Sequence, residues 1–153
     1  FISKDDEKIN NVFSKNGFKC TNKTFRCKLA KNTQIDKNIN IKRITKGVET
    51  CLPDYIEKSL DEPNIIILEY KQNGKREYIV SGMPSKNEIQ IYIKPRPDDI
   101  EIEKQLIKEI QRIAVEKGIY NLCYIEINLS DKKEEMLREL GFIPTMIYYT
   151  YKF

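Results

Sequence analysis

Glu88-Ile89-Gln90-Ile91-Tyr92-Ile93-Lys94-Pro95-Arg96-Pro97-Asp98-Asp99-Ile100-Glu101 is the stretch on which the fold turns. Its first seven residues alternate apolar and polar, as a strand with one buried face does. The two prolines stop that alternation, and the acidic pair after them suits a helix start. From there the apolar spacing changes to three and four. Ile102, Leu106, Ile110, Ile113 and Ala114 form a one-sided stripe, so residues 99–117 are expected to be helical, with Gly118 as the stop.

Working outward, the strand at 87–94 follows a hairpin. Residues 64–71 are strongly apolar, Asn73-Gly74 is a type I′ turn signal, and residues 75–81 return as the partner. Before it lie an expected strand at 39–44 and a helix at 46–60, interrupted near Pro53. After the long helix come a strand at 120–128, a helix at 131–140 closed by Gly141, and an aromatic-rich strand at 146–153. The order from residue 39 is β-α-β-β-β-α-β-α-β. An antiparallel meander followed by a βαβ crossover implies an α/β fold with a mixed, mostly antiparallel sheet flanked by helices.

The first third reads as a helix-strand extension. Residues 5–15 are expected to form a short helix, capped by Ser3 or Asp5, with Ile9, Val12 and Phe13 on one face and Gly17 as the left-handed stop. Thr24-Phe25-Arg26-Cys27-Lys28-Leu29 then alternates strictly. The Asn-rich polar stretch at 31–40 is the best boundary, dividing the chain into 1–33, a linker at 34–38, and a domain at 39–153. A shift of 124 residues lays Gly17-Phe18 on Gly141-Phe142, Lys8 on Lys132, Thr21 on Thr145 and Lys28 on Lys152. Either the shared helix-glycine-strand unit is coincidental, or residues 1–33 are the tail of a preceding copy in a tandem protein. A third reading makes 24–29 an added edge strand, or one swapped into a neighbour to form a homodimer.

Composition narrows the functions. Hydrophobic residues are 40 % and charged residues 33 %, as in a globular domain. The longest apolar run, 65–68, is far short of a membrane span, and the first residues do not resemble a secretory leader. With no histidine and no CxxC pair among Cys20, Cys27, Cys51 and Cys123, neither a Cys/His zinc site nor a histidine-based nucleophile is available, and no metal site is expected. Reduced, buried thiols fit a cytoplasmic protein. Residues 1–46 carry twelve Lys/Arg against four Asp/Glu, but no aromatic-interleaved patch or recognition helix accompanies them, which argues against nucleic acid as a partner.

The element order, closing with Ser130-Asp131-Lys132-Lys133-Glu134-Glu135-Met136-Leu137-Arg138-Glu139-Leu140-Gly141-Phe142, resembles the GCN5-related N-acetyltransferase (GNAT) superfamily over residues 39–153. Members typically carry an Asn eleven residues before Gly-Phe; here Ser130 stands at that spacing from Gly141. The resemblance implies acetyl-CoA as cofactor and a small-molecule or peptide amine as acceptor. It also implies that backbone groups of Ile91 and Ile93 hold the thioester end, and that Arg96, Asp99, Ile100 and Glu101 meet the pyrophosphate. Members place Gln/Arg-x-x-Gly-x-Gly/Ala at this turn, because glycine lets the helix-start amides approach the phosphates. Arg96 fits that pattern, whereas Asp99 and Glu101 replace the small residues and Pro97 removes a donor. Each carboxylate near a diphosphate costs about 1 kcal/mol in water-like surroundings and roughly 4 at an effective dielectric of 20, against ~1–2 kcal/mol from the helix end.

For catalysis, the position of the family's tyrosine acid is Leu137; Glu88 is the candidate base, and Tyr92 and Tyr124 are candidate phenolic donors. Two functions stay open: an acetyl-CoA-dependent N-acyltransferase with a divergent loop, or a catalytically inactive accessory or interaction domain that kept the fold.

Overall fold

The computed structural model describes residues 2–3, 12, 15–45, 47, 52–62, 65–85, 87–126 and 130–151. The chain forms two compact units, one of residues 29–122 and one of residues 1–28 with 123–153.

In the 29–122 unit, strands β3 (Ile41–Ile44), β4 (Ile66–Gln72), β5 (Lys75–Pro84) and β6 (Glu88–Lys94) make an antiparallel meander. Asn73 and Gly74 join β4 to β5 with φ of 54° and 75°, the doubly left-handed turn that Asn-Gly favours. Register assigns the faces. Val80 pairs with Lys94 and Gly82 with Ile91, so Val80 shares a face with Gln90, Tyr92 and Lys94. Helix α1 (Asp54–Ser59) covers part of that face, where Ile56 packs with Ile44 and Ile67. Pro53 stands at its N-cap, and the first part of the helix expected at 46–60 lies outside the described residues except Gly47 and residues 52–53. Ile89, Ile91 and Ile93 are buried on the other face, and α2 (Ile100–Lys117) packs on β5 and β6.

Burial of α2 departs from the one-sided stripe. Leu106, Ile110, Ile113 and Ala114 are buried as expected, but so are Glu103, Glu109 and Gln111. The polar linker crosses this flank, where Asn38 Nδ2 donates to Gln105 Oε1 at 3.4 Å. Glu109, 2 % exposed, is matched by Arg112, whose Nε donates to Glu109 Oε1 at 2.9 Å. That hydrogen bond, more than the surrounding charges, raises the guanidinium's affinity for its proton.

In the other unit, β1 (Ile2–Ser3) and β2 (Phe18–Lys28) both pair antiparallel with β8 (Ile143–Tyr151). Ser3 is therefore strand, not the cap of the expected helix, whose residues lie outside the described ones apart from Val12 and Lys15, both helical. The order runs β1-β8-β2-β7, with β7 (Asn121–Glu126) entering this unit at Cys123. Thus β2 is an interior strand with Thr24, Phe25 and Cys27 buried, and it pairs with the very segment that the 124-residue shift lays upon it. Helix α3 (Asp131–Glu139) buries Met136 and Leu137, is capped by Ser130 Oγ accepting from the Lys133 amide, and ends before Gly141 at φ 88°. Cys27 and Cys123 are buried; the side chains of Cys20 and Cys51 lie outside the described residues. No helix among the described residues is long and apolar enough to cross a membrane.

Candidate functional site

The stretch that decides the fold also builds the site. Strand β6 offers its outward side chains, Gln90, Tyr92 and Lys94, while its inward isoleucines fix its register. Strand β5 bulges on its β4 side, where Ile67 pairs with Val80 and Ile66 with Gly82, and the extra residue, Ser81, is buried with its hydroxyl donating to the Ile66 carbonyl at 3.0 Å. Gly82 is tightly enclosed. A Cβ there would sit 3.3 Å from Ile89 Cγ2 and 3.5 Å from the Gln90 carbonyl.

The turn after β6 leads into α2 through Asp99. Its Oδ1 accepts from the Glu101 amide at 2.8 Å, and its carbonyl accepts from the Glu103 amide at 3.2 Å. One amide at this helix start is thus already bound by a carboxylate. Asp98, Asp99 and Glu101 are exposed, and Ile100 is half-buried. Exposure means water-like screening, so each of the acidic groups at this turn opposes an anion by about 1 kcal/mol, not 4. Arg96 is exposed as well and engaged within the structure.

Ile91, Ile93, Arg96, Asp99, Ile100, Glu101 and Glu88 all belong to the 29–122 unit. Glu88 opens β6 half-buried, its carbonyl taking the Ser85 amide at 2.7 Å and the Ser85 hydroxyl at 3.0 Å. Tyr124 belongs to the other unit and is 2 % exposed, a buried phenol. Leu137, at the position of the family's tyrosine, is fully buried core.

Sequence reasoning missed a groove of about 600 Å³ over the outward face of β5 and β6, lined by Tyr55, Ser59, Ile65, Val80, Met83, Tyr92, Lys94 and Pro95. The alternation of β6 was enough to put Tyr92 and Lys94 on one face. The wall was not legible, because it comes from α1, whose Tyr55 hydroxyl donates to the Tyr78 carbonyl at 3.1 Å. Burial, then Glu77 and Tyr78, hold the Tyr55 phenol above its usual pKa, so it stays neutral at physiological pH. Tyr55 on α1, Met83 on β5 and Tyr92 on β6 are 48 %, 52 % and 53 % exposed and together form an exposed apolar patch around the groove. A smaller cavity of about 310 Å³ beside α2 is polar, mixing Asp36, Glu101 and Glu109 with Lys104 and Lys108.

No family model matches the chain, and no curated protein matches it. Among solved structures it is similar to a GCN5-related N-acetyltransferase from Sphaerobacter thermophilus, at TM-score 0.58 and 11 % identity, over 97 % of this chain and 56 % of that one. A conserved protein of unknown function from Staphylococcus epidermidis ATCC 12228 matches at TM-score 0.49 and 14 % identity, over 97 % of this chain and 68 % of that one. A Drosophila protein matches at 0.47 and 10 %, over 97 % and 57 %. The chain spans little more than half the length of the Sphaerobacter protein. At such low identity the likeness concerns architecture alone, and it agrees with the order of elements from residue 39: the chain has a divergent GNAT-like fold.

Proposed function

We propose that this GNAT-like domain is an acetyl-CoA-dependent N-acyltransferase that holds its cofactor weakly. The observation that carries the reading is the open apolar groove on the outward face of β6, the strand whose backbone at residues 91–93 would receive the thioester. A domain retained only as a scaffold has no need to keep Tyr55, Met83 and Tyr92 exposed around a cavity of small-molecule size.

The residues fit the cofactor at reduced affinity. Arg96 and the amides of Ile100 and Glu101 would hold its phosphates, with the Asp99 carboxylate giving up the Glu101 amide. An N-cap bond is worth about 1 kcal/mol, and an exposed like charge about the same, so the loop weakens phosphate binding by one to two orders of magnitude without abolishing it. Acetyl-CoA, when bound, supplies an activated acyl group. Backbone amides of β6 polarise a carbonyl, and Glu88 takes a proton from the acceptor amine, directly or through water.

A second reading, a non-catalytic accessory domain, draws on one observation: the Asp99 carboxylate bound to the Glu101 amide. Calorimetry with acetyl-CoA separates the two. Saturable binding that is lost in Arg96→Ala supports the acyltransferase, and no heat at millimolar cofactor ends it.

A further inference from the structure

We propose that the groove between α1 and the outward face of β5 and β6 binds a small apolar amino acid as acyl acceptor, with its carboxylate on Lys94. The inference rests on the acyltransferase reading and narrows it to a class of acceptor.

Charge and surface argue together. Among the described residues, Lys94 is the one lining the groove that carries a full charge. The other polar groups of the described lining are the hydroxyls of Tyr55, Ser59 and Tyr92, and the rest of it is apolar. Lys94 is exposed at the end of β6, directly opposite Val80, so it stands at one end of an apolar floor. A ligand matching this surface has an apolar body and one anionic end. A purely cationic amine would meet the Lys94 ammonium with no carboxylate among the described lining residues to offset it, Glu77 acting on Tyr55 from outside that lining. The volume of about 600 Å³ lies within the roughly 300–1,000 Å³ usual for small-molecule sites and leaves room for an aromatic side chain.

An acceptor in this class needs a free amine besides its carboxylate, which is the composition of an α-amino acid. In the transfer, the amine lone pair forms the nitrogen–carbon bond as the carbon–sulfur bond breaks. The electron pair leaves on sulfur, and the amine proton passes through solvent water to the departing thiolate; Glu88, six residues along β6 from Lys94 and outside the groove lining, is reached only through that water. The products are an N-acyl amino acid and free thiol.

The test is an NMR titration of the full chain without any acyl-CoA, using L-phenylalanine, L-phenylalaninamide and L-lysine as probes. Saturable shifts at Tyr55, Val80, Met83 and Tyr92 are expected with phenylalanine, and about tenfold weaker binding with its amide, which lacks the carboxylate. Lys94→Gln is expected to erase that preference while leaving the spectrum folded, the side chain being exposed. Lysine is expected to bind more weakly than phenylalanine. Equal binding of phenylalanine and its amide, shifts confined to other residues, or no saturable shift would each overturn the proposal. These outcomes leave cofactor calorimetry untouched, so failure of the acceptor class and failure of the acyltransferase reading show up in different experiments.

Discussion

Asp99 shows how one side chain can serve a helix and oppose a ligand. Its Oδ1 caps α2 by taking the Glu101 amide, which stabilises the helix, while its charge sits where a phosphate would lie. The two effects separate by substitution. In Asp99→Ser the cap is retained, because serine caps about as well, and the charge is gone; Glu101→Gln removes the second. Together they should tighten acetyl-CoA binding about 30-fold, from about 1 kcal/mol per exposed carboxylate. Calorimetry on the double variant checks this, and unchanged affinity would mean that phosphates do not approach this helix end. Gly82 is a different kind of residue-scale constraint. Alanine there would gain roughly 0.4–1 kcal/mol by restricting the unfolded chain. Its Cβ, however, would press on fully buried Ile89 at 3.3 Å, with Ile66 behind at 3.6 Å. Overpacking of that kind costs about 1–3 kcal/mol and wins. Gly82→Ala should therefore lower stability by about 1 kcal/mol in urea unfolding, whereas a neutral or stabilised variant would show that Ile89 has room to move.

Helix α2 carries the clearest element-scale consequence. Its ends were legible because they are local: an acidic cap at Asp99 and a left-handed stop at Gly118, φ 71°. Its burial was not, since spacing within a helix cannot reveal what crosses its polar flank. The linker does so here through Asn38 on Gln105, and Glu109 is buried on the same helix with Oε2 lacking a hydrogen-bond partner among the described residues. Removing Arg112 would leave a buried carboxylate without its charge partner, a loss of about 3 kcal/mol or more. Arg112→Met should show that loss in the urea midpoint, and adding Glu109→Leu should restore most of it. If the single variant were as stable as the parent, the ion pair would have no structural role.

At the scale of the whole molecule, the placement of β2 decides what can fold. Residues 39–153 contain every element of the α/β order, yet β8 pairs along β2 from Ile143 opposite Arg26 to Tyr151 opposite Phe18. Phe25 in that strand is fully buried. A chain cut to 39–153 should therefore lose native order in β8 and α3, seen as collapsed amide dispersion for those residues in NMR spectra. Full dispersion in the truncated chain would show that β2 is dispensable. A milder form of the same test is Phe25→Ala, which should cost about 3–5 kcal/mol.

The amino-acid sequence alone determined the elements and their order, because alternation, three-and-four spacing, Asn-Gly turns and left-handed glycines act through neighbours a few residues away. It also marked the acidic turn at Asp99 and Glu101. Only the tertiary structure decided where β2 lies, which side of α2 is covered, and that Tyr55 closes a groove over Tyr92 and Lys94. The reason is range. Arg26 reaches Thr145 across 119 residues of chain, and such pairings depend on which distant surfaces exclude water together, which no local pattern records.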